Sequence, residues 1–82
     1  MPLATVWYFG PVDGNGMVTC HDAVVLANYG NGKKKLAYVV GEGDPVIVDQ
    51  VPHYDWDYHA ETFRTKIEAG EDCVDGGMSS FR

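Results

Sequence analysis

The sequence is poor in positive charge. Six Lys and Arg stand against twelve Asp and Glu, giving a net charge of −6 and an isoelectric point near 4.7. A protein that grips nucleic acid through its phosphates needs surplus cations, so direct nucleic-acid binding is not expected. Cysteine is scarce as well. Cys20 and Cys73 are the two, far apart and without Cys-x-x-Cys spacing. They cannot build a zinc site alone. The ordinary reading is two reduced thiols, at least one buried as a small hydrophobe, and a disulfide is the alternative in an oxidising compartment. Long hydrophobic runs are missing. The longest apolar runs reach five residues, where a membrane-spanning helix needs about 20. Met1 to Trp7 has no basic start and no extended apolar stretch, so no signal peptide is read there. The expected setting is cytoplasmic, with no membrane partner.

Length and composition bound the fold. A chain of 82 residues with 45% hydrophobic and 12% aromatic residues is neither disordered nor fibrous. It makes one domain, residues 1–82, with a small core and no room for a deep cleft. Glycine clusters at Gly14–Gly16, Gly30–Gly32, Gly41–Gly43 and Gly76–Gly77 mark turns. Between them lie four short segments: Thr5 to Phe9, Met17 to Tyr29, Lys35 to Val40 and Val46 to Val51. Leu36, Tyr38 and Val40 share one face of an extended segment, as do Val46 and Val48, which is the pattern of a half-buried sheet. Residues 23–27 read as a central strand or as a short helix capped by Asp22, with the vicinal valines favouring strand.

After Pro52 the period changes. Trp56, Ala60, Phe63 and Ile67 follow one stripe of a helix, predicted over 56–69, with Asp55 or Asp57 as N-cap and Gly70 as stop. Cys73, Val74 and Met78 can add a last edge strand, and residues 79–82 read as a frayed tail. The expected fold is α+β: an antiparallel meander of three to five strands with one amphipathic helix packed on one face. Such a helix leaves the other face open. Trp7, Val25, Ala27, Tyr29 and Tyr38 keep that face from being wholly polar, which predicts a homodimer or a docked partner.

Three groups of residues could carry chemistry. If residues 53–59 are extended, His53, Asp55, Asp57 and His59 share one face and could ligate a borderline metal. The alternative is a loop and N-cap. A Cys–His nucleophile pair would need spatial adjacency that spacing does not supply. Lys33-Lys34-Lys35 reads as protection of a strand edge.

Two stretches carry family resemblances. Tyr58-His59-Ala60-Glu61, with Cys73, Gly76-Gly77 and Ser79 behind it, resembles the Janus or phosphohistidine phosphatase family over a short part of the chain. That resemblance implies His59 as the catalytic residue of a phosphohydrolase. The family's phosphate loop has no counterpart here. Residues 10–19 followed by Asp22 to Leu26 are similar to a dockerin-type calcium loop and exit helix. That likeness implies Asp13, Asn15, Thr19 and Asp22 as ligands and Gly16 as the turn glycine. Position one of the loop is Pro11 and offers no carboxylate. The other reading of this stretch is a hairpin turn.

The acids are unevenly placed. From Glu42 to Asp75 there are ten acids and two bases, whereas the first 41 residues hold two acids and three lysines. A one-sided negative field steers a positively charged partner. Interleaved Tyr54 and Tyr58 are of the type that anchors interfaces. The expected partner-binding set is therefore Tyr54, Asp55, Asp57, Tyr58, Glu61, Glu68, Glu71 and Asp72. The function this favours is a non-enzymatic interaction module without a cofactor: a small acidic inhibitor covering a basic, nucleic-acid-binding surface of another protein. Phage anti-defence proteins resemble it in size and charge. The alternative is a His59-centred phosphatase-like enzyme or a metal-binding protein.

Overall fold

The computed structural model describes residues 3–55, 60–71 and 73–80. The first strand, β1 (Thr5–Phe9), and the long second strand, β2 (Met17–Asn28), form an antiparallel hairpin with Thr5 opposite Val24 and Phe9 opposite Cys20. The hairpin turn is built by Asp13. Its carboxylate accepts from the N–H groups of Asn15 (2.8 Å) and Met17 (3.0 Å), and Gly16 takes φ +75°. That is an Asx-type turn with glycine where the backbone must be left-handed. Residues 23–27 are strand. The β2 segment lies between neighbours on both edges, and vicinal valines fit that pleated, half-buried position. The exit helix that the calcium-loop likeness implied is therefore not formed.

Strand β3 (Lys33–Tyr38) pairs with the end of β2, and β4 (Val46–Pro52) pairs with β3. Strand β5 (Thr62–Thr65) lies antiparallel to β1, so the sheet order is β4-β3-β2-β1-β5. The sheet curls into a half-barrel. Beyond β4, the Tyr54 N–H donates to the Phe63 carbonyl at 2.8 Å, and His53 bridges to Phe63. The chain leaving β4 thereby covers part of the β5 edge. A short helix, α1 (Lys66–Ala69), follows β5, and β6 (Met78–Ser80) pairs with Met17–Thr19 at the start of β2. Strand β6 takes in Ser79 and Ser80, and residues 81–82 of the expected frayed tail lie outside the described residues.

The predicted helix over 56–69 is the main correction. Trp56, Asp57, Tyr58 and His59 lie outside the described residues. Residues 62–65 are strand, and only 66–69 are helical. Phe63 is buried opposite Tyr8, while Ile67 is 94% exposed, so the two residues do not share a buried stripe. The reason is tertiary. The β1 edge is open and apolar, and pairing Val6–Phe9 with Thr62–Thr65 satisfies backbone groups that a helix would satisfy internally. The helix starts instead at Thr65, whose hydroxyl accepts from the Glu68 N–H while the Glu68 carboxylate accepts from the Thr65 N–H. This capping box was not read from the sequence. Gly70, the expected stop, does end the helix.

Alternation along β1 divides the interior in two. Val6 and Tyr8 join Ala23, Leu36, Val51 and Phe63 inside the curl, with Val25, Tyr38 and Val48 against them. Phe9 joins Val18, Cys20, Ala69 and Cys73 on the opposite side, with Trp7 and Ala60 alongside. The predicted open face is thereby dismantled. Val25 and Tyr38 pack inside, Trp7 packs on the far side, and Tyr29 is exposed. Cys20 and Cys73 form a disulfide with a Cα–Cα distance of 6.2 Å. The reduced-thiol reading is corrected by proximity that only the fold supplies. The Cys20 N–H donates to Gly77 (2.9 Å) and the Gly76 N–H to Cys20 (2.8 Å), which lays the C-terminal strap along β2.

Candidate functional site

The concave side carries a hollow of about 300 Å³ lined by Tyr8, Val48, Asp49, Gln50, Val51, Pro52 and Glu61. Val48 to Pro52 come from β4, Tyr8 from β1, and Glu61 is the residue preceding β5. Glu61 is anchored by its N–H, which donates to the Phe9 carbonyl at 2.7 Å. Gln50 (φ +51°) and Glu61 (φ +77°) are the non-glycine residues with left-handed backbone among those described, and both line this hollow. Such conformations cost on the order of 1–3 kcal/mol each and persist where the surrounding structure enforces them.

Tyr8 lies at the base, 3% exposed. Its ring stacks on Tyr38 at 5.2 Å, and Tyr38 stacks on His21 at 4.3 Å. Burial, with the nearby Glu61 charge second, pushes the Tyr8 phenol up to about 12. The phenol is therefore protonated throughout the physiological range. Burial also lowers the His21 imidazole, opposed by the charge of Asp75.

The expected site residues have varied fates. Glu68 is engaged inside the protein. It accepts from His53 Nε2 at 2.9 Å, from the Thr65 N–H at 3.0 Å and from Thr65 Oγ1 at 2.8 Å. These bonds, His53 first, pull its carboxyl down to about 2. Tyr54 is held by the Arg64 guanidinium 3.7 Å from its ring centroid and by Phe9. Asp22 pairs with Lys66 Nζ at 2.9 Å and sits opposite Trp7, whereas Asp13 and Asn15 belong to the hairpin turn. Asp49 accepts from the Tyr29 hydroxyl and the Gln50 N–H, and the Tyr29 bond keeps its carboxyl below the usual range. Asp55, Glu61 and Glu71 are exposed. Asp57, Tyr58, His59 and Asp72 lie outside the described residues, so the His59-centred readings do too. Among the described residues no group of three His, Cys, Asp or Glu side chains is placed to hold a metal ion.

Three of the cations are used locally. Lys34 lies over Phe63 at 5.4 Å, Lys66 over Trp7 at 4.7 Å and Arg64 over Tyr54. Glu42, Asp44, Glu61 and Glu71 are exposed and make no ion pair with any described residue. Tyr8, Gln50 and the β4 exit were missed from the sequence. Only the alternation of Val6 and Tyr8 hinted that Tyr8 faces inward. Compared with known proteins, the chain matches no family model, no curated protein and no solved structure. Among the described residues no helix is long and apolar enough to cross a membrane.

Proposed function

We propose that the chain is a non-enzymatic binding module, an acidic inhibitor that covers a basic, nucleic-acid-binding surface of another protein. One observation carries this reading. Lys34, Arg64 and Lys66 lie over the protein's own aromatic rings, while Glu42, Asp44, Glu61 and Glu71 face solvent without an ion pair among the described residues. A surface that holds three of its cations over its own rings and presents four carboxylates favours a positive partner and speeds its approach. The phage anti-defence analogy rests on size and charge alone.

The same reading has two copies meeting along β4. That strand is the end of the sheet path, and Val46 and Ile47 are exposed on it. A free apolar edge is a template for another strand. A cytoplasmic setting would require the disulfide to resist a reducing pool. Cys20 is completely buried and Cys73 nearly so, which shields the bond.

The test starts with the tagged full chain as bait in a lysate of the native host. The captured protein is identified, purified and bound to its nucleic acid, and the chain is titrated in. Displacement that weakens from 0.1 to 0.5 M salt, and with Glu42, Asp44, Glu61 and Glu71 neutralised together, supports the reading. A partner that keeps its nucleic acid, or binding indifferent to both changes, removes it.

A further inference from the structure

We propose that the hollow between the end of β4 and Glu61 is a receptor for one arginine side chain of the basic partner. The inference rests on the binding-module reading and adds the anchor point. Among the residues lining the hollow are Glu61, which carries a carboxylate, and Tyr8, which carries a hydroxyl. Glu61 is exposed and makes no ion pair with any described residue.

Tyr8 is the independent observation. Its side chain is 97% buried, lines the hollow, and receives no hydrogen bond from any described residue. A buried phenol that lines a cavity and has no hydrogen-bond partner among the described residues is a polar group held ready for a ligand. Because that phenol stays neutral, its oxygen keeps a lone pair for an incoming N–H without adding a second charge.

The walls decide between cations. Val48, Val51 and Pro52 supply aliphatic surface beside the polar pair. An ammonium is compact and strongly hydrated, whereas a guanidinium is planar and weakly hydrated and can give N–H groups to a carboxylate and a hydroxyl at once. A volume of about 300 Å³ exceeds what a guanidinium and its propyl stem need. The competing acid nearby, Asp49, is already bonded to Tyr29 and to the Gln50 N–H. It adds field and leaves the direct contact to Glu61. Arginine is also enriched among the residues that dominate interface energies.

The probe is Nα-acetyl-arginine amide, with the lysine and citrulline amides as controls. Binding is followed by amide chemical shifts of the full, oxidised chain. The expected result is saturable shifts at Tyr8, Gln50, Val51 and Glu61 with a dissociation constant on the order of 1 mM. The lysine probe should be several-fold weaker and the neutral citrulline probe silent. Glu61→Gln and Tyr8→Phe should each lose about tenfold in affinity while keeping the wild-type thermal midpoint within a few degrees. Equal shifts from citrulline, shifts centred elsewhere, or an undiminished response in Glu61→Gln would overturn the assignment. If a basic partner is captured but the arginine probe gives no shift, the anchor is wrong and the module reading survives. If the probe binds as described and the captured partner keeps its nucleic acid, the module reading fails on its own.

Discussion

Breaking the Cys20–Cys73 disulfide should be the most damaging small change available to this protein. The bond closes a loop of 53 residues. Loop-closure entropy in the unfolded chain then makes it worth about 4 kcal/mol at 25 °C. A domain of this size has a total stability of roughly 4–12 kcal/mol. The bond therefore supplies between a third and all of it. The structure says where the damage falls. The second cluster holds five buried residues, two of which are the cysteines, with Ala69 from α1 as the other member from the strap side. With the bond cut, α1 and the strap to β6 keep the Ala69 contact, the Thr65–Glu68 cap and the short pairing with Met17–Thr19. The first cluster, around Leu36 and Phe63, is untouched. Circular-dichroism melts of the oxidised chain and of Cys20→Ala/Cys73→Ala should differ by roughly 16–32 °C, at about 4–8 °C per kcal/mol. Amide exchange should quicken first in residues 66–80. A change below 5 °C, or exchange that quickens first in β3 and β4, would refute the argument that this bond holds the strap.

Other outcomes follow from single groups. The Glu68 carboxyl has its folded value depressed to about 2 against an ordinary 4.5. Its contribution is present above pH 4.5 and is lost as pH falls toward 2, so Glu68→Gln should flatten the acid side of the midpoint-against-pH curve. Because the pair with His53 is about half exposed, the cost at neutral pH should stay within about 1 kcal/mol. Tyr8 has its folded value raised from 10 to about 12. Stability is therefore complete below pH 10 and falls between pH 10 and 12, and Tyr8→Phe should remove part of that alkaline loss. Leu36, completely buried at the centre of the first cluster, should cost about 2–5 kcal/mol as Leu36→Ala in a urea titration. Light scattering at micromolar concentration should give twice the 9.0 kDa chain mass, and Ile47→Lys should return it to one; a single-chain mass for the wild type removes the β4 dimer.

Much of the sheet was legible because turns and alternation are local. Thr5–Phe9 was read with its observed bounds, and Val46–Val51 fell one residue short of β4. Asp13 and Gly16 marked a turn that the Asp13 carboxylate closes by accepting from Asn15 and Met17. The helix was misread because a spacing of four and three suits a helical stripe and is also met by chance in a strand followed by a turn. Nothing within residues 56–69 shows that β1 offers an unpaired edge. The candidate hollow was illegible for a related reason. Tyr8 and Glu61 stand 53 positions apart and meet only because β5 returns to β1.

The sequence by itself determined the turns, the alternating strands and the gathering of acid in the second half. Each of these is a property of neighbours along the chain or of the total composition. The tertiary structure alone decided that residues 62–65 pair as a strand, that Cys20 meets Cys73, and that Lys34, Lys66 and Arg64 lie over Phe63, Trp7 and Tyr54 while four carboxylates stay outside. Those outcomes depend on contacts between residues distant in sequence. Their free energy comes from burial and hydrogen bonding that exist only once the sheet has curled.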